Sequence, residues 1–195
     1  MPDTSNNLQH ALNEVSASSA GGAPFLIAYG ATFIITGILS FLLPRPTAAL
    51  IAMFQGGVAL PVAFWLERRL GSRRMSSDNP LRPLSIQFAM SQILGLPALI
   101  VAYSLNPGAV PVVLASLGGV HFFPYAWLHR SRNYVILAVA VSIGAFVLQL
   151  ILGSAAFSYI LLYIGAVYWI MAPQLYRHAR RMVEEQDARR VVQPT

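Results

Sequence analysis

Residues 134–152 read YVILAVAVSIGAFVLQLIL, a run without a charged side chain that, after its opening tyrosine, only Ser142 and Gln149 interrupt. A helix needs about 20 mostly apolar residues to cross the hydrocarbon of a bilayer. The run is too long for a strand and lacks period-two alternation, so it reads as a membrane-spanning helix. Working outward, five more stretches fit the same description: roughly 24–43, 47–66, 84–104, 108–128 and 155–176. The breaks are Pro44-Arg45-Pro46, the polar run 67–83, Asn106-Pro107-Gly108, His129 to Asn133, and Gly153-Ser154. Three of these breaks are very short. The expected architecture is therefore all-α: an integral membrane six-helix bundle, built as three helical hairpins joined by two basic loops.

Composition supports a membrane setting. Of the 195 residues, 56% are hydrophobic and 10% charged, and the mean hydropathy is +0.59. Soluble domains carry roughly a quarter charged residues, so this chain cannot cover a water-facing surface. It has no cysteine, which removes disulfides and thiolate metal sites. All 13 basic residues are arginine, the pattern that a GC-rich bacterial coding bias produces.

Arginine also sets the orientation. Arg68, Arg69, Arg73, Arg74 and Arg82 follow the second span, Arg130 and Arg132 follow the fourth, and Arg177, Arg180, Arg181, Arg189 and Arg190 follow the sixth. With six spans these segments share one side, and Arg45 alone stands on the other. Basic loops stay cytoplasmic, so both termini are expected inside a bacterial inner membrane. Residues 1–22 lack the basic start of a signal peptide, and the small-residue run SASSAGGA precedes the apolar stretch instead of following it. They are expected to form a cytoplasmic tail, or a short interfacial helix lined by Leu8, Leu12 and Val15. The transmembrane domain then covers 23–176, and 177–195 is a basic cytoplasmic tail. Its arginines suit anionic lipid headgroups. They sit where topology requires them, so the pI of about 10.2 is no argument for nucleic acid.

The even-numbered spans share a pattern. Gly56-Gly57-Val58, Trp65-Leu66 and Arg68 align without a gap on Gly118-Gly119-Val120, Trp127-Leu128 and Arg130, and Gly165, Val167, Leu175 and Arg177 repeat it faintly. The alignment suggests a parallel pseudo-threefold repeat of hairpins about an axis along the membrane normal, with ligands between repeats. The competing explanation is that apolar helices draw on a small alphabet and Trp-Leu-x-Arg marks the cytoplasmic interface. The repeat supplies a register, because residues three or four apart share a helix face. The stripes are Gly56, Ala59, Ala63, Glu67; Gly118, His121, Tyr125, His129; and Gly165, Tyr168, Ala172, Tyr176. If they converge, Glu67, His129 and Tyr176 form a polar ring at the cytoplasmic mouth. Pro61 and Pro124 each remove an intrahelical hydrogen bond and should loosen their helices.

No carboxylate or arginine lies deep in any span, which argues against a proton antiporter or a charged substrate. His121 is the one deep ionisable group, able to bind a substrate or to hydrogen-bond a neighbouring helix as glue. The expected ligand-binding residues are His121, Tyr125, Gln55 and Tyr168. There is no acid to orient a Ser-His pair and no HExxH sequence, so neither a catalytic centre nor a metal or cofactor site is expected. The segment Gly118 to Leu128, with its His-Phe-x-Pro-Tyr-Ala-Trp-Leu run, resembles a family of small, uncharacterised bacterial polytopic membrane proteins. The resemblance extends to the hairpin layout and implies no activity, cofactor or substrate. Two functions follow: a transporter or ligand-binding protein for an uncharged or amphipathic small molecule, or a non-catalytic accessory protein. A homo-oligomer or a membrane-protein partner is compatible with either.

Overall fold

The computed structural model describes residues 4–71 and 74–192. Arg73, in the first basic loop, lies outside the described residues. Among those described there are helices and turns and no strand. The α-helices are α1 (Thr4–Ser18), α2 (Ala23–Leu39), α3 (Arg45–Phe54), α4 (Gly56–Leu70), α5 (Arg82–Ser91), α6 (Leu96–Leu105), α7 (Val110–Phe122), α8 (Tyr125–Leu128), α9 (Asn133–Leu152) and α10 (Ala156–Val192). Prolines open many of them: Pro24, Pro46, Pro83, Pro97 and Pro111 lie in first turns, where a missing N–H costs no hydrogen bond.

Five helical stretches are long and apolar enough to cross a membrane by length and composition: Ala20–Leu39, Arg45–Leu70, Arg82–Leu105, Pro107–Leu128 and Asn133–Glu185. The last holds both α9 and α10, which fold back on each other at Gly153 (φ 56°, ψ −122°). The Tyr163 hydroxyl donates to the Ala140 carbonyl (2.8 Å) across that pair. The expected fifth and sixth spans are thus separate helices joined by one tight turn.

The helices around the core pack closely where side chains are small. The most extensive pairing is α2 with α10, followed by α7 with α9 and α2 with α4. A methyl group on Gly165 would fall 2.8 Å from the Gly30 carbonyl oxygen, so α2 and α10 cross nearly backbone to backbone. Leu26, Phe33, Val110, Leu137, Val141, Ile160, Leu161 and Ile164 fill the main core. Ala59 and Ala63 (both 0% exposed), Gly118, Tyr168 and Ala172 are buried, so much of the predicted stripes faces inward. Helix α4 runs unbroken through Pro61; the interruption falls earlier, between Phe54 and Gly56. The fourth span does break beside Pro124, between Phe122 and Tyr125.

The N-terminal segment is built into the body. Ala11, Leu12 and Val15 of α1 are buried in a second small core with Leu81 and Leu128, while Leu8 stays 44% exposed. Both Glu14 oxygens accept hydrogen bonds from the following loop, one from the Ser76 N–H (2.7 Å) and one from the Asn79 amide (2.6 Å). Buried Asn79 also donates to the Ala11 carbonyl (3.1 Å). Ala20, Gly21 and Gly22 then take left-handed conformations in succession (φ 50°, 64° and 78°) and turn the chain into α2.

Candidate functional site

The four expected binding residues fall into two groups. Gln55 occupies the break between α3 and α4 and is 7% exposed. Its backbone carbonyl accepts from Val58 (3.0 Å) and Ala59 (2.9 Å), but its side-chain oxygen is buried without a hydrogen-bond partner. The next residue, Gly56, faces the hydroxyl of Tyr29: a methyl group there would sit 3.1 Å from it. Tyr29 in turn lies close enough to Tyr168 to interact with it electrostatically. Tyr168 is 5% exposed, packs edge-on to Phe33 and Phe122, and points its hydroxyl toward Gly118. Among the described residues, no hydrogen bond reaches the side chain of Gln55, Tyr29 or Tyr168. Buried polar atoms are nearly always paired; the Gln55 oxygen is an exception, as are single atoms of Asn13, Gln149 and His178.

His121 and Tyr125 form the second group, and His121 also meets the ring of Phe122 edge to face. The His121 and Tyr125 rings meet edge to face with centroids 5.1 Å apart. Across the seam with α5, His121 Nδ1 lies 3.4 Å from the Ser91 hydroxyl, which already donates to the Phe88 carbonyl (2.7 Å). His129, Tyr125 and Tyr134 form a triangle of near-parallel rings, with His129 5.7 Å from Tyr125 (11°) and 5.1 Å from Tyr134 (17°), and the two tyrosines 5.6 Å apart. His129 Nδ1 pairs with the Ser16 hydroxyl (3.0 Å), and the Tyr134 hydroxyl donates to the Gly21 carbonyl (2.7 Å). Helix α1 and the turn after it therefore close one end of the aromatic cluster. His129 lies in the turn between α8 and α9. Burial first, and then nearby His178, push its pKa down to about 3, so the ring is neutral.

Of the expected polar ring of Glu67, His129 and Tyr176, two members have contacts elsewhere. The partner of His129 is Ser16, and among the described residues no hydrogen bond or ion pair joins it to Glu67. Tyr176 packs half-buried against the main core. The N-terminal segment takes the intervening space: a methyl group on Gly71, just past Glu67, would overlap the Ser18 carbonyl, and one on Gly21 would sit 2.7 Å from the Leu175 carbonyl.

Sequence reasoning missed Ser16 and Tyr134 as site residues. Leu12, Val15 and Ser16 do share one helix face, a signal that the small, polar composition of the segment obscures. Among the described residues, no three His, Asp or Glu side chains stand close enough to hold a metal ion.

Comparison with known proteins adds a family and no activity. No curated protein and no solved structure matches the chain. The profile of a family of unknown function, DUF7010, matches residues 8–178, a stretch that takes in most of α1, the aromatic cluster and the start of the final helix's basic end. The chain belongs to that family of unknown function.

Proposed function

We propose that the chain is a polytopic protein of the bacterial inner membrane that holds a small uncharged or amphipathic molecule between its helices. It crosses the bilayer six times as three hairpins with both termini cytoplasmic, as the arginine-rich loops support. Those loops contact anionic headgroups. The observation that carries the reading is the seam between α5 and α7. His121 and Tyr125 line one wall, and its polar closure is the 3.4 Å contact of His121 with Ser91. The stretch Arg82–Leu105 that forms the other wall has only 11% of its apolar window buried, against 44% for Ala20–Leu39. A weakly held helix beside an imidazole and a phenol can part sideways and admit a molecule from the lipid.

The test is native mass spectrometry of the protein extracted directly into lipid nanodiscs, with His121→Ala alongside. A bound small molecule lost on substitution, at unchanged thermal stability, supports the reading. Loss of stability with the same bound species makes His121 a packing group and sinks it.

A second reading rests on the same uncovered helix pair. Leu94 and Leu105 are both 82% exposed, beside Ile93 and Ile100. This face suits a second membrane protein, with the chain as its non-catalytic accessory. Photo-crosslinkers at Leu94 that capture a protein instead of lipid would favour it.

A further inference from the structure

We infer that the break between α3 and α4 is a second binding site, one that takes a neutral molecule through a hydroxyl or amide N–H donated to the side-chain oxygen of Gln55. The site is independent of the α5–α7 seam, since Phe122 separates Tyr168 from Tyr134 and the inner cluster.

The trio specifies the ligand chemistry. The Gln55 oxygen is an acceptor without a donor, in a residue 7% exposed. Tyr29 and Tyr168 bring hydroxyls that can donate or accept, and neither makes a hydrogen bond among the described residues. A ligand hydroxyl can therefore donate to Gln55, and the Tyr29 hydroxyl beside Gly56 is the nearest further polar group the neighbourhood offers. The chain break makes the position rigid: the Gln55 carbonyl is held by two N–H groups, so the side chain projects from a fixed point. Ala52 and Ala59, one turn before and after Gln55, are buried, and Phe33 and Phe122 pack on Tyr168, so the surroundings are apolar. No ionised side chain occurs in α2 or between Pro46 and Leu66, so a charged headgroup would find no counter-ion and would carry its full desolvation cost. An apolar molecule of the same shape would leave the Gln55 oxygen unpaired. Both requirements select a neutral donor with an apolar body.

The experiment uses the full chain in detergent and three probes of matched length: 1-octanol, octane and octanoate. Thermal unfolding is followed as each is titrated into wild type, Gln55→Leu, Tyr168→Phe and His121→Ala. All three probes enter the micelle, so the comparison among variants removes that common effect. The expected result is a saturable rise of several degrees in the wild-type midpoint with 1-octanol only. Gln55→Leu should abolish it, Tyr168→Phe should weaken it several-fold in apparent affinity, and His121→Ala should retain it. An equal response to octane, or an octanol response that survives Gln55→Leu, overturns the site. Loss of the response in His121→Ala as well as Gln55→Leu would also overturn it as a site separate from the seam.

Discussion

The Nδ1 atom of His129 lies 3.0 Å from the hydroxyl of Ser16, a residue 113 positions earlier in the chain. That one contact ties the N-terminal helix to the turn between α8 and α9. Its neighbour, the Tyr134–Gly21 hydrogen bond, ties the turn that follows α1 to the same stack. Removing the Ser16 hydroxyl leaves a buried imidazole nitrogen unpaired, so Ser16→Ala should cost about 1–3 kcal/mol. The measurement is thermal unfolding together with limited proteolysis between α1 and α2. Unchanged protection of that segment would show that the Leu12 and Val15 packing alone holds α1.

Acid should loosen the same contact. Folded His129 takes a proton only at about pH 3, whereas its ordinary value is 6.5. The folded state then binds fewer protons than the unfolded one, so stability is complete above about pH 6.5 and declines as pH falls toward 3. The facing groups are Ser16, Tyr125, Tyr134 and His178, none of them a carboxylate that could neutralise an imidazolium. The stacked rings offset part of the charge by cation–π attraction. A loss on the order of 1–2 kcal/mol by pH 5 is expected. It should be read as a fall in the unfolding midpoint from pH 7.5 to pH 5 that His129→Gln largely removes. An equal fall in the variant would assign the pH dependence elsewhere.

The turn between α1 and α2 should tolerate no side chain. Gly22 has φ 78° and an added methyl group would overlap the Tyr134 hydroxyl; Gly21 has φ 64° and would press on the Leu175 carbonyl. A left-handed conformation costs other residues roughly 1–2 kcal/mol before any overlap. Gly22→Ala and Gly21→Ala should therefore each destabilise by more than that. Gly57→Ala, helical and facing open space, should be neutral or stabilise by up to about 1 kcal/mol. Equal midpoints for all three variants would contradict the close approach described at the turn.

Much of this was legible in the sequence, and the exceptions have physical causes. Apolar length located the helices because a long uncharged run has few alternatives. The three stripes put Ala59, Ala63, Gly118, Tyr168 and Ala172 on buried faces because helical spacing alone fixes which residues share a side. Helix α1 was harder to read. Its buried positions include Ala11, Ser16 and Ala17, residues too small or polar to mark a core, and SASSAGGA resembles a linker until its left-handed turn is seen. Pro61 pointed to a break that α4 does not have there. The partner of His129 was not legible because spacing within one helix says nothing about Ser16, on an element more than a hundred residues earlier.

Gln55→Leu, without any ligand, should raise stability by about 1 kcal/mol. The substitution replaces an unpaired buried acceptor by an apolar side chain of similar size. Calorimetry or thermal unfolding in detergent reads the change. A loss above about 1 kcal/mol would mean that the amide has a partner in the protein.

The absence of cysteine makes sidedness directly measurable. Single cysteines at exposed Ser77 and Ser154 should behave oppositely in intact cells. Position 154 should react with a membrane-impermeant maleimide at once, and position 77 only after the membrane is opened. The reverse pattern, or labelling of both from outside, would invert or break the six-span topology.

Helix α10 runs for 37 residues, about 55 Å at 1.5 Å per residue, while the hydrocarbon of a bilayer is about 30 Å thick. In a membrane, more than 20 Å of it must stand clear as a rigid mast. Pro173 interrupts its hydrogen-bond ladder near the base of that mast. From Pro173 to the tip at Val192 is about 28 Å, so a bend of about 10° at the proline sweeps the tip through roughly 5 Å. A displacement too small to disturb packing near Pro173 is thereby amplified along the helix, past Arg180 and Arg181, toward its far end.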